Sequence, residues 1–256
     1  MQETTTIGID CSTNPKKLGI SRGLFRKGRL TVLESGVGQG DPVALISDWI
    51  NASERCLLAF DAPLGWPGSM GEILADHQAG MPLPAEANTL FRRYTDVFIK
   101  EMINKQPLDV GSNLIARTAH FALNLLQAIR ERTGKQIPLA WHGEYETSCA
   151  AIEVYPAATL ESRGISSLGY KKAQEVARRK ELLELLSDEM VIEADLDALV
   201  ATDDALDAAL CLLAASDFLN GSCYAPRGDM LTQVKRESWI WVKNADQAGQ
   251  DGVGTR

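Results

Sequence analysis

Asp10 and Asp61 each close a short apolar run, in Gly8-Ile9-Asp10-Cys11 and in Leu58-Ala59-Phe60-Asp61. A carboxylate at the end of an apolar strand can accept hydrogen bonds from the turn that follows. It can also serve a ligand, because open α/β sheets bind their ligands beyond the carboxyl ends of the strands. If the two strands are neighbours, both acids point into one crevice, and the pair favours the second use. A third group lies in Thr202-Asp203-Asp204-Ala205-Leu206-Asp207-Ala208-Ala209-Leu210. Asp203 and Asp204 fall in the first turn of a predicted helix, where the dipole and the free N–H groups stabilise anions. Asp207 falls beyond that turn, among small apolar residues, on the same face as Asp204. An anionic pair in that setting is costly unless a cation or a hydrogen-bond donor compensates. Asp10, Asp61, Asp204 and Asp207 are therefore the candidate metal ligands and catalytic carboxylates. Glu153 has three readings: a fourth ligand, a base that orients a ligand, or an edge carboxylate paired with an arginine.

Oxygen-only donors select hard ions, here Mg²⁺ or Mn²⁺. Two ions about 4 Å apart, with Asp10 bridging them, would activate a water and stabilise a leaving oxygen. Candidate substrate contacts are basic. Arg92 and Arg117 could clamp a phosphate, or pair with Asp96 or Glu153 to hold the surrounding segment down. Lys171, Lys172, Arg178 and Arg179 fall along one stripe of a predicted helix, as a solvated face or as a phosphate track. His77, His120 and His142 lack metal-ligand spacing. Cys11 sits beside Asp10, whose charge would raise its thiol pKa and count against a cysteine nucleophile. The chain contains no P-loop, no GxGxxG and no nucleophile elbow.

The elements that must position these residues follow from local patterns. Residues 4–10, Lys17–Phe25 and Arg29–Val37 read as strands, with a hairpin turn at Lys27-Gly28. Asp41-Pro42 opens a helix to about Ile50, and CLLAFD, ending at Asp61, is a covered parallel strand. The next strand-like run is CAAIEVYP, from Cys149 to Pro156. Residues 62–148 between them are too many for a simple crossover and read as a helical cap inserted over the strand ends. Its clearest helix runs from Ser112 to Thr133, with Gly134 beyond its end. Lys171–Leu186 reads as an amphipathic helix, Thr202 caps a long helix to about Asn220, and Ser238–Lys243 reads as a late strand or edge segment. The tail from Asn244 is polar and is expected to be disordered. The order predicts one α/β domain over residues 1–243, a mixed sheet with helices on both faces.

Composition bounds the function classes. Of 256 residues 45% are hydrophobic and 23% charged, which is ordinary for a globular protein. No apolar run reaches membrane-spanning length, and the early first strand leaves no room for a signal peptide. Five scattered cysteines without a CxxC pair read as reduced thiols, so a cytoplasmic location is expected. Acids outnumber bases by 34 to 26, for a net charge of −8, which excludes a broad basic nucleic-acid face. A local basic strip remains, because residues 163–180 set Arg163, Lys171, Lys172, Arg178, Arg179 and Lys180 against Glu175 alone.

Taken in order, GID at the start, FDAPLGWP, RRYTDVFIKE, EVYPAATL with a following GYK, and DDALDAALCLLAA resemble one family over most of the chain. This is the family of predicted RNase H-like nucleases catalogued as domain-of-unknown-function family four-two-nine. The resemblance implies an RNase H-like mixed sheet, its first three strands antiparallel and its first strand beside the fourth. It also implies a carboxylate site like that of Holliday-junction resolvases, made of Asp10, Asp61 and the Asp204/Asp207 pair. The expected activity is metal-dependent phosphodiester hydrolysis on nucleic acid or a short oligonucleotide. The alternatives are a phosphotransferase or nucleotide hydrolase of the actin and hexokinase type, and a non-catalytic binding protein.

Overall fold

The computed structural model of the protein describes residues 3–38 and 40–245. Strands β1 (Thr4–Asp10), β2 (Gly19–Arg26) and β3 (Arg29–Val37) form an antiparallel meander. The turn between the last two places Lys27 and Gly28 at φ values of 52° and 78°, the left-handed pair that matches the twist of a two-residue hairpin. Helix α1 (Pro42–Asn51) starts as its sequence predicts: the Asp41 carboxylate accepts from the N–H groups of Val43 and Ala44, and Pro42 occupies the first turn. Strand β4 (Cys56–Asp61) then runs parallel to β1.

The insertion holds α2 (Gly68–Leu74), α3 (Ala87–Phe91), α4 (Tyr94–Ile103) and α5 (Asn113–Thr133) before β5 (Cys149–Glu153). After it come α6 (Pro156–Glu161), α7 (Val176–Leu185), β6 (Met190–Ile192), α8 (Leu196–Ala201), α9 (Asp203–Leu219) and α10 (Leu231–Glu237). The six-stranded sheet has the order β5-β4-β1-β2-β3-β6, with β5 parallel to β4 and β6 parallel to β3. The fold is therefore α/β with a mixed sheet, antiparallel at its start and parallel outside it.

Helices α6, α8 and α10 and strand β6 add to the elements that local patterns predict, and two further elements differ from expectation. Strand β6 is new, since three residues flanked by acids carry no strand pattern. Helix α7 begins at Val176 instead of Lys171, because the carbonyls of Tyr170, Lys172 and Ala173 are tied up by Arg179. Residues 238–243 form no regular strand but an edge segment, bridging Ile240 to Glu153 and Lys243 to Cys223. The expected tail falls mostly on residues 246–256, outside the described residues. Within them, the Asn244 N–H donates to the Ser222 carbonyl at 2.8 Å.

Helices cover both faces. Helices α1 and α5 pack together on one, where Ile46, Ile50, Leu125 and Ile129 meet Ile7, Ile9, Leu58 and Phe60. Helix α5 thus belongs to a core layer as well as to the insertion. Helix α9 crosses the other face, every residue from Ala205 to Phe218 buried, as a helix apolar all round requires. Its approach is unusually close. A Cβ on Gly8 would collide with the Ala208 carbonyl, and one on Gly19 with the Asp204 carbonyl. Small residues on both sides let helix backbone and strand backbone touch.

This contact makes a test. Gly8→Ala should lift α9 from the sheet and destabilise the protein by about 1–3 kcal/mol or more, the usual cost of overpacking. Urea denaturation measures that loss, and unchanged stability would show that the helix can shift freely.

Candidate metal centre

Strands β1 and β4 run in a register that pairs Asp10 with Asp61. Paired residues of neighbouring parallel strands share a face of the sheet, and Gly8 and Ala59, two residues earlier, place that face under α9. Asp207 descends from α9 one turn after Asp204, and only 1% of it is exposed. One carboxylate oxygen from each of Asp10, Asp61 and Asp207 lies within 4.8 Å of the other two. Oxygens opposite one another on an ion with bonds of about 2.1 Å are about 4.2 Å apart, and on Ca²⁺ up to about 5 Å. The three acids are therefore close enough together to hold a single hard divalent cation.

Asp207 carries two donors. The Tyr170 hydroxyl donates to its Oδ1 at 2.6 Å, and the Lys171 ammonium meets its Oδ2 at 2.7 Å. Both donors lie on a loop fixed from behind by Arg179, which is fully buried and donates to the carbonyls of Tyr170, Lys172, Ala173, Val200 and Ala201. A guanidinium has five N–H donors in a planar fork, and here all of its bonding goes to backbone. Arg179 is thus a positioning residue and no part of a solvated stripe.

The electrostatics are those of three acids sharing too little water. Burial, then Asp207 and Asp61, raises the Asp10 carboxyl well above the usual range. Burial pushes Asp61 up to about 7, with Asp207 and Glu153 adding to the effect and Lys171 opposing it. Asp207 is also raised by burial, against the pull of Lys171 and Tyr170. For Lys171 burial acts downward, but Asp207, Asp61 and Asp10 outweigh it and hold the ammonium charged. A bound cation would relieve this repulsion directly. Cys11 behaves as expected: burial, then Asp10 and Asp61, keeps its thiol protonated.

Asp204 is outside the group of three. It is half-buried near the start of α9, its carboxyl raised by burial and then by Asp203. Glu153 stands apart for a reason of parity. Its register partner on β4 is Phe60, so it points to the face opposite Asp61. There it is 2% exposed, accepts from the Leu64 N–H, and forms a two-armed salt bridge with Arg93 at 2.8 and 2.9 Å. Arg93 also holds Asp96 at 2.8 Å. Of the three readings of Glu153, the arginine-paired carboxylate is the one the structure displays, with Arg93 as the partner that sequence patterns did not single out.

The other basic residues scatter. Arg92 pairs with Asp109 at 3.2 Å, and the exposed Arg117 bonds Asn113 at 3.3 Å. Arg178 pairs with Glu181 and the Ser166 carbonyl, and the Lys172 side chain is exposed. Lys171 alone among them reaches the carboxylates, as a partner of Asp207. The signal for Tyr170 and Lys171 was the short Gly169-Tyr170-Lys171 motif, whose spacing to Asp207 only folding supplies.

A cavity of about 260 Å³ opens beside the acids. Asp10, Asp61, Lys171 and Tyr155 line its polar side, and Pro107, Leu108 and Ile115 of the insertion stand over it. Burial, then Asp61, pushes the Tyr155 phenol up to about 12, so its hydroxyl stays a donor.

A family model described as protein of unknown function (DUF429) matches residues 8–230. The chain belongs to this family. In this DUF429 chain the matched span contains Asp10, Asp61, Tyr170, Lys171 and Asp207, so the whole acidic centre lies inside it. A search of curated proteins finds no match.

Two expectations follow from this site. The folded protein holds a proton on Asp61 up to about pH 7, whereas the unfolded chain releases it near pH 4. Between those values the folded state binds more protons, so the metal-free protein loses this contribution as pH rises. Thermal melts of wild type and Asp61→Asn across that range should converge at low pH and separate, variant higher, toward neutrality; parallel curves would refute it. Separately, Glu153→Ala strands Arg93 in the core and should cost about 3–5 kcal/mol while leaving Mn²⁺ affinity intact. Calorimetry on the folded fraction checks the second half, and lost metal affinity would return Glu153 to the centre.

Proposed function

We propose that this chain is a metal-dependent phosphoester hydrolase built on an RNase H-like sheet. The observation that carries the reading is the convergence of Asp10, Asp61 and Asp207 from β1, β4 and α9 onto one cation-sized group of oxygens. The antiparallel β1-β2-β3 meander with β1 beside β4 supports the fold assignment. All-carboxylate donors suit Mg²⁺ or Mn²⁺. Bound there, such an ion supplies Lewis acidity toward a water and a phosphoryl oxygen.

The chain's own residues set the rest. The three carboxylates define the cation position and, through their excess negative charge, the affinity. Tyr170 and Lys171 hold Asp207 in its rotamer, and Lys171 carries a positive charge to the cavity lining, where it would meet a phosphate. In the reaction, water oxygen bonds to phosphorus, the ester P–O bond breaks, and the leaving oxygen gains a proton. Asp204 is left to the helix terminus, where its removal costs a few tenths to about 1 kcal/mol.

Asp10→Asn keeps size and removes one ligand charge. Mn²⁺ affinity, followed by calorimetry or electron paramagnetic resonance without nucleotide, should fall by about tenfold or more. The metal-free melting temperature should hold or rise, because like-charge repulsion is relieved. Asp207→Asn should abolish hydrolysis of a phosphodiester probe, and Asp204→Asn should leave most of it. A protein that unfolds on Asp10→Asn yet keeps its metal, or equal activity in the two helix variants, would overturn the reading.

A further inference from the structure

We infer that the cavity over the carboxylates admits a phosphoester of mononucleotide size, its phosphate toward the acids and one planar ring system against the wall supplied by the insertion. The inference rests on the metal-dependent reading above and narrows its substrate from a polynucleotide to a small molecule.

The cavity is lined by both kinds of group: Asp10, Asp61 and Lys171 with the Arg93–Glu153 ion pair, and apolar Pro107, Leu108, Ile115, Val154 and Ile240. A mixed lining of this kind suits a ligand that carries a phosphate and a flat apolar body. The cavity volume of about 260 Å³ falls just below the usual range of small-molecule pockets, roughly 300–1,000 Å³, so only a small ligand fits.

Tyr155 adds a polar contact. It lines this cavity, and its hydroxyl has no hydrogen-bond partner among the described residues. A free phenol O–H beside a phosphate or base site is a donor awaiting an acceptor. Leu108 closes the mouth, still 66% exposed although it lines the space. It gains burial when a ring covers it.

Charge argues the same way from outside the cavity. A polyanion needs several cations along its path, each worth a step in salt dependence. Arg92, Arg117, Arg178 and Arg179 are all directed elsewhere, to Asp109, Asn113, Glu181 and backbone carbonyls. The net charge is −8, and of the basic residues in the stripe 171–179 only Lys171 reaches the carboxylates, while Lys172 is exposed.

The test is a binding series with wild-type protein and Mn²⁺, using inorganic phosphate, thymidine 5′-monophosphate and a twelve-nucleotide thymidine strand, with released phosphate monitored in parallel. The monophosphate should bind about tenfold or more tighter than phosphate, and the strand no tighter than the monophosphate. Leu108→Ser, at an exposed position that should spare the fold, should weaken the monophosphate and leave phosphate and Mn²⁺ unchanged. Tyr155→Phe should weaken it by a smaller factor. Affinity that climbs tenfold from monophosphate to strand and collapses with salt would overturn the inference in favour of a polynucleotide groove. Monophosphate binding no better than phosphate, with Mn²⁺ bound, would overturn it while leaving the metal centre standing. Failure to bind Mn²⁺ at all would remove the metal-dependent reading and this inference with it.

Discussion

Helix α9 lies against β1 and β2 so closely that neither Gly8 nor Gly19 has room for a Cβ. Ala208 and its neighbours supply the matching small surface on the helix. Leucine at these positions would hold a helix the usual 8–10 Å or more from its neighbour, and Asp207 would then end short of the strand tips. The close contact brings a helix-borne carboxylate down to two strand-borne ones. The acidic centre is in this sense a by-product of backbone packing, and its geometry depends on residues that carry no functional group.

Bringing three carboxylates together in a nearly dry place opposes folding, and the structure shows what offsets it. Lys171 and Tyr170 satisfy both oxygens of Asp207, and Arg179 uses its whole guanidinium to fix the loop that bears them. Among the described residues Asp10 and Asp61 receive no comparable hydrogen-bond partner, and burial raises both carboxyls. Proteins tolerate such local frustration where function demands it. A cation placed between these two and Asp207 would offset their mutual repulsion.

The insertion between β4 and β5 does two jobs with one segment. Its long helix α5 completes the core layer with α1, while Ile115 in its first turn and Pro107 and Leu108 in the segment before it line the cavity with the acids. It is tied to the sheet by Arg93, which joins Asp96 of α4 to Glu153 of β5 in a buried network. That network fixes the roof of the cavity relative to its floor without sharing any ligand with it. Separate anchoring lets the roof set which ligand fits while the floor sets the chemistry.

The local sequence determined the strands that end in Asp10 and Asp61, the capped starts of α1 and α9, and the depth of Asp207 beyond its first turn. Apolar runs, cap residues and small-residue helices are statements about near neighbours, and near neighbours are what a sequence displays. It also revealed the parity of Glu153, which alternates with Ala151 along β5. What it could not reveal was which parity faces α9, because that follows from the pairing of Glu153 with Phe60 across the sheet. The partners of the basic residues were equally hidden. A long cationic side chain chooses among carboxylates distant in sequence, so Lys171 found Asp207, Arg93 found Glu153, and Arg179 turned inward to backbone carbonyls. Those choices rest on distances set only when helix, sheet and insertion are packed together.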